Sequence, residues 1–257
     1  MNGLISDLNL IENPTIRFIF QLIIVTCFTL LLDLRIYGIG IKIIDNLLSY
    51  HYLNYIITIL CILIAINGFN FIDGLNTLSF GYFLIILGCL IFVEFQHGYD
   101  FFLFSNYFSV IFLFFLFLLI LKGSLFLGDS GSYLIGTLIG IKIIMISKEF
   151  PEISAWYFAL LLWYPAFEIL FSIIRKVLQN KSPFKPDNEH LHQKIYKLIR
   201  KKLSIDYINP LSANLINFFN FIFLIIGSFY IFDSGKILLI ILINILVYIV
   251  LFIRLKK

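Results

Sequence analysis

Asn67, Asn70, Asp73 and Asn76 follow one another at intervals of three in the stretch NGFNFIDGLN. Residues three apart on a helix share a face, so the spacing predicts a polar stripe. Asn, Asp and Gly are also turn residues, and a tight turn is the simpler explanation. Four polar side chains on one stripe, at the end of an apolar run, exceed what a turn requires. Polar groups at membrane depth generally face a polar cavity.

A second cluster reads FLGDSGS over residues 126–132 and runs into an apolar segment. Asp129 and Ser130 would serve as helix N-caps. A Gly-rich start to a helix also lets backbone N–H groups approach a phosphate. Asp129 then has the chemistry to hold Mg²⁺, which prefers carboxylate and phosphate oxygens.

The third cluster is SPFKPDNEHLHQ, residues 182–193. It reads either as a basic loop at anionic head groups or as a diphosphate site. His190 and His192, with Lys185 and Lys194, offer N–H donors and positive charge. Zinc is not supported, because no Cys or further His completes a ligand set. A fourth group is weak by itself: Asp7 and Asn9, then Pro14, Arg17 and Gln21. Lys142, Glu168, Asn217, Asn220 and Asn244 lie inside apolar runs and form no pattern by spacing.

The elements that must position these residues are membrane helices. Hydrophobic residues make up 61% of the 257-residue chain and charged residues 13%. Mean hydropathy is +1.00. That leaves too little polar surface for a water-soluble globule. Eight apolar runs qualify as spans: 15–33, 52–68, 78–95, 107–122, 130–147, 154–176, 213–232 and 236–254. Their length and continuity predict helices rather than barrel strands. The expected fold is therefore all-α, a polytopic integral membrane protein forming one domain over residues 1–257.

Lys and Arg cluster in 177–212 and in the tail, which predicts that side as cytoplasmic. Eight spans then place residues 1–14, 69–77, 123–129 and 177–212 together at the cytoplasmic face. A net charge of +4 is too small to imply nucleic acid. Cys27, Cys61 and Cys89 sit inside apolar runs, unpaired as any CxxC motif, and read as small apolar fillers. No cleavable leader pattern precedes the first apolar run near Ile16.

Taken together, the clusters resemble the polyprenyl-phosphate N-acetylhexosamine-1-phosphate transferases, a membrane family of glycosyltransferases that includes the phospho-MurNAc-pentapeptide transferases. NGFNFIDGLN resembles that family's NxxNxxDGxx loop, KGSLFLGDSGSYLIG its FxGDxGSxxLG loop and SPFKPDNEHLHQKIY its histidine loop. GLISDLNLIENPTIRFIFQ resembles the segment bearing the family's paired aspartates.

The resemblance implies transfer of a sugar 1-phosphate from a UDP-sugar to polyprenyl phosphate, with release of UMP, in cell-envelope polysaccharide biosynthesis. It implies Mg²⁺ as cofactor, with Mn²⁺ as the alternative, held by Asn70 and Asp129. It also assigns Asn76 to the uracil and His190 and His192 to the diphosphate. Asn67 and Lys185 join the substrate contacts and Asp73 the catalytic group, and Asp7 lies near the lipid phosphate as a candidate base. The expected location is the inner membrane, with the active site facing the cytoplasm.

Two departures bear on activity. The family's acidic pair reads Ser6-Asp7 here. Relatives also carry more spans, about three of them N-terminal. An inactive relative, one that depends on an upstream-encoded fragment, and a homo-oligomer therefore stand as alternatives. A transporter is a further one, although transporters place polar groups near the midplane on broken helices rather than at one face.

Overall fold

The computed structural model describes residues 14–100, 127–182, 189–202 and 207–255. The regular structure in them is helical, with no strands among the described residues. The helices in order are α1 (Pro14–Leu31), α2 (Lys42–Leu48), α3 (His51–Ile72), α4 (Leu78–His97), α5 (Gly128–Glu149), α6 (Ala155–Leu161), α7 (Trp163–Leu178), α8 (Leu191–Lys202), α9 (Ile208–Ser228) and α10 (Ser234–Arg254).

Five of these, α3, α4, α5, α9 and α10, are long and apolar enough to cross a bilayer. At 1.5 Å per residue each spans roughly 30 Å, the thickness of the hydrocarbon core. Helix α1 is apolar and slightly shorter. The expected span 107–122 lies outside the described residues.

The run 154–176, expected as one span, is broken. Helices α6 and α7 meet at Leu162 with a bend of 73°. Pro165 sits in the first turn of α7, where its missing N–H is tolerated and its ring favours a fresh helix start. Periodicity cannot show such a break, because both halves are apolar.

Helix α3 is the axis of the site. Glycines on α5 let it pack antiparallel against α3 at close range. A Cβ at Gly136 would lie 2.6 Å from Ile66 Cα, and one at Gly140 would touch Ala65 and Ile62. On another side, a Cβ at Gly68 would lie 2.6 Å from the Pro165 carbonyl oxygen on α7. Small residues at these crossings replace side-chain bulk with backbone proximity, the usual means of helix association in lipid. Phe69, Ile72, Leu78, Tyr82, Ile86 and Leu90 are fully buried in the adjoining core. Leu239, Leu242, Leu246 and Ile253 stay exposed along α10, as a lipid-facing surface requires.

The far end of the bundle is tied by Asp33. Its carboxylate accepts from Arg35 at 2.8 Å and Tyr55 at 2.6 Å, and Lys148 lies 3.6 Å away. Arg35 and Lys148 therefore share one end of the molecule, and Asn70 and Asp129 mark the other.

Candidate active site

Asn70 closes the last turn of α3 and Asp129 opens the first turn of α5, so the antiparallel crossing brings the two motifs together. Asn70 Nδ2 donates to Asp129 Oδ1 at 2.8 Å and to Ser132 Oγ at 3.2 Å. Arg17 Nη1 reaches from α1 to Asp129 Oδ2 at 2.9 Å. One turn deeper, Asn67 Nδ2 donates to Gln21 Oε1 at 3.0 Å. The N-cap position of α5 is Leu127, so Asp129 sits inside the first turn rather than at the expected cap. Its carboxylate is spent across helices instead.

The stripe does not continue as a helix. Helix α3 ends at Ile72, and the Asp73 N–H donates to the Asn70 carbonyl at 3.2 Å. Asp73 and Asn76 therefore lie in a turn leading to α4, both partly exposed. The turn is held from α9: the Asn76 N–H donates to Asn209 Oδ1 at 2.8 Å, and Asn217 Nδ2 donates to the carbonyls of Thr77 and Leu78. Thr77 itself takes φ of 76°.

The histidine segment lies against this turn. His192 Nε2 is 2.5 Å from where a Gly74 Cβ would stand. The rings of His190 and His192 stack with centroids 5.5 Å apart and planes 8° apart. Phe71 meets His190 edge-on at 5.4 Å. His192 is fully buried, and neither ring nitrogen has a hydrogen-bond partner among the described residues. Burial, only partly opposed by the Glu168 charge, pushes its pKa down to about 4, so the ring is neutral at pH 7.

His190 Nδ1–H donates to Glu168 Oε1 at 3.0 Å. Lys194 pairs with Glu189 and lies over the Phe252 ring. Lys194 holds the Glu189 carboxyl below the usual glutamate range.

Of the expected site residues, Asn67, Asn70, Asp73, Asn76, Asp129, His190 and His192 converge on one end of the bundle. Asp7 and Lys185 lie outside the described residues. Spacing alone did not single out four others. Arg17 and Gln21 belonged to the weakest cluster, Asn209 to none, and Glu168 was one of five scattered in-span polar residues. A carboxylate inside an apolar run is costly enough to signal function by itself, and that signal was available for Glu168.

The oxygen-bearing side chains gathered directly around Asn70 are the Asp129 carboxylate and the Ser132 hydroxyl, beside the Asn70 amide itself. No group of three or more His, Cys, Asp or Glu is placed to share a metal among the described residues. The donor set is therefore unlike an all-protein metal cage. It does fit Mg²⁺, which binds through one or two protein oxygens plus substrate phosphates and water.

The fold defines a polytopic α-helical membrane protein with a polar cluster gathered at one end of its helices. The sequence profile described as glycosyl transferase family 4 matches residues 1–147, and the chain belongs to that family.

The chain is 33% identical over 136 residues to an undecaprenyl-phosphate alpha-N-acetylglucosaminyl 1-phosphate transferase of Thermotoga maritima, covering 53% of this chain and 41% of that one. It is 31% identical over 144 residues to a probable undecaprenyl-phosphate N-acetylglucosaminyl 1-phosphate transferase of Bacillus subtilis, covering 55% and 40%. A decaprenyl-phosphate N-acetylglucosaminephosphotransferase of Mycolicibacterium smegmatis is 29% identical over 183 residues, covering 63% and 44%. The chain thus spans about two fifths of the length of the curated relatives it matches. No solved structure matches it.

Proposed function

We propose that the chain transfers a sugar 1-phosphate, an N-acetylhexosamine 1-phosphate by analogy with its relatives, from a UDP-sugar to polyprenyl phosphate. The observation that carries this reading is the meeting of Asn70 and Arg17 on Asp129 within hydrogen-bond distance, with the histidine pair set against the neighbouring Phe71 and Gly74. In the reaction, an oxygen of the lipid phosphate forms a bond to the sugar-bearing phosphorus. The bond from that phosphorus to the bridging oxygen breaks, and UMP leaves with the electron pair. Such a transfer depends on positioning and charge stabilisation more than on covalent work by the protein.

Asn70 and Asp129 would hold Mg²⁺, the Asn70 amide turning its Oδ1 inward, since amide orientation is interchangeable by a flip. The bound cation would supply charge neutralisation on the diphosphate. Arg17 orients the Asp129 carboxylate and offers a forked donor to phosphate oxygens. His190 and His192 supply imidazole N–H groups to the diphosphate, and the Asn76 turn takes the uracil. Asp7 is assigned to the lipid phosphate. The basic segment 177–212 supports a cytoplasmic site at the inner membrane.

The test is UMP release by purified protein given UDP-N-acetylglucosamine, undecaprenyl phosphate and Mg²⁺. Asp129→Asn should lower turnover by about 100-fold or more, the scale of losing a principal charge-stabilising group. No release by the parent protein, or equal release by D129N, rejects the assignment.

A further inference from the structure

Glu168 is a carboxylate 1% exposed on the broken helix α7. Three groups from two places, the histidine segment and α10, converge on it. His190 Nδ1 is 3.0 Å from Oε1, the Leu191 N–H donates to the same oxygen at 3.3 Å, and the Tyr248 hydroxyl of α10 donates to Oε2 at 2.7 Å. A buried carboxylate is costly unless paired and hydrogen-bonded, and here both conditions are met. Nothing in the transfer itself employs Glu168.

We propose that Glu168 is the positioning residue of this site, holding His190 with its proton on Nδ1 and its Nε2 edge turned away from α7. The inference rests on the transferase reading above.

The reason is the chemistry of imidazole. A carboxylate only accepts, so the nitrogen facing Glu168 must carry a proton. A phosphate oxygen also only accepts, so a ring that bonds Glu168 and a diphosphate together must donate from both nitrogens. Glu168 is the acceptor that touches Nδ1, so it fixes that proton and the plane of the ring. Tyr248 and the Leu191 N–H fix the carboxylate in turn, so ring orientation is set by α7 and α10 together. The nearly parallel stack of His192 on His190 carries that orientation to the ring beside Gly74.

The experiment compares the parent with Glu168→Gln, His190→Ala and the double variant in UMP release. E168Q should lower kcat about 10-fold to 100-fold, as expected for loss of a group that orients a functional histidine. KM for the UDP-sugar should rise as well, because a His190 ring held by a neutral amide on Nδ1 donates less readily from Nε2 to the diphosphate. In the H190A background E168Q should have no further effect, since residues acting as a unit are non-additive. Additive losses would overturn the proposal, as would an unchanged kcat.

A parent that releases no UMP rejects the transferase reading instead. The Glu168 proposal is then decided by ¹⁵N spectra of histidine-labelled protein, in which only four His residues contribute. A protonated Nδ1 at His190 supports it and an unprotonated one overturns it. The parent spectrum alone decides the matter if E168Q fails to fold.

Discussion

Replacing Gly74 with alanine probes the contact between the turn after α3 and the histidine segment at a single atom. Gly74 does not adopt positive φ, so the backbone accepts alanine and the effect is purely steric. The new methyl carbon would stand 2.5 Å from His192 Nε2 and 3.2 Å from its Cδ2. Ordinary carbon contacts begin near 3.5 Å, so the ring must retreat by about 1 Å. It is fully buried and stacked on His190, which leaves little room for the retreat. Overpacking of this kind costs about 1–3 kcal/mol of stability. A displacement of about 1 Å in a positioned group costs on the order of 100-fold in rate.

The assay is kcat/KM for UMP release, read beside thermal unfolding in the same detergent. Gly74→Ala should lose both activity and stability. In a His192→Ala background the same substitution should cost little stability, because the removed ring makes space for the methyl group. Parent-like activity and unfolding temperature in Gly74→Ala would refute the reasoning, since the turn and the histidine segment would then not touch.

Two further outcomes follow from the same geometry. Gly136→Ala places a methyl 2.6 Å from the Ile66 backbone, which cannot yield as a side chain does. It should cost about 1–3 kcal/mol in unfolding measurements and lower UMP release by prising Asn70 from Asp129; an unaffected variant contradicts the close α3–α5 crossing. The pH dependence comes from His192, whose folded pKa of about 4 lies below its ordinary 6.5. Above pH 6.5 the ring is neutral in both states and the fold keeps its full stability. As pH falls toward 4 the unfolded chain takes up the proton first, and about 3 kcal/mol should be lost across that window. The drop in unfolding temperature between pH 7.5 and 4.5 should be smaller in His192→Gln than in the parent; an identical pH slope in both proteins counts against the buried neutral ring.

Some of this protein is readable from local pattern and some is not, and the division follows what each signal measures. The apolar runs around α3, α4, α5, α9 and α10 are visible because a bilayer imposes one length and one polarity on whatever crosses it. The grouping of Asn70, Asp129 and His192 at one end of the bundle follows from loop parity and motif chemistry. The turn at Gly74 was harder, since the same Asn, Asp and Gly residues suit a helix stripe and a turn. The break at Leu162 was invisible to hydropathy, because a kinked apolar helix has the composition of a straight one.

Residue order along the chain carried the membrane class, the three polar motifs and the family of glycosyl transferases to which they belong. Folding in three dimensions chose the partners: Arg17 for Asp129, Asn209 for the Asn76 turn, and Glu168 with Tyr248 for His190. These pairs are separated by 22 to 133 positions. Periodicity reports only neighbours on one helix. Contacts between helices depend on where glycines such as Gly68 and Gly136 let two backbones approach, and that is a property of packed surfaces rather than of any single segment.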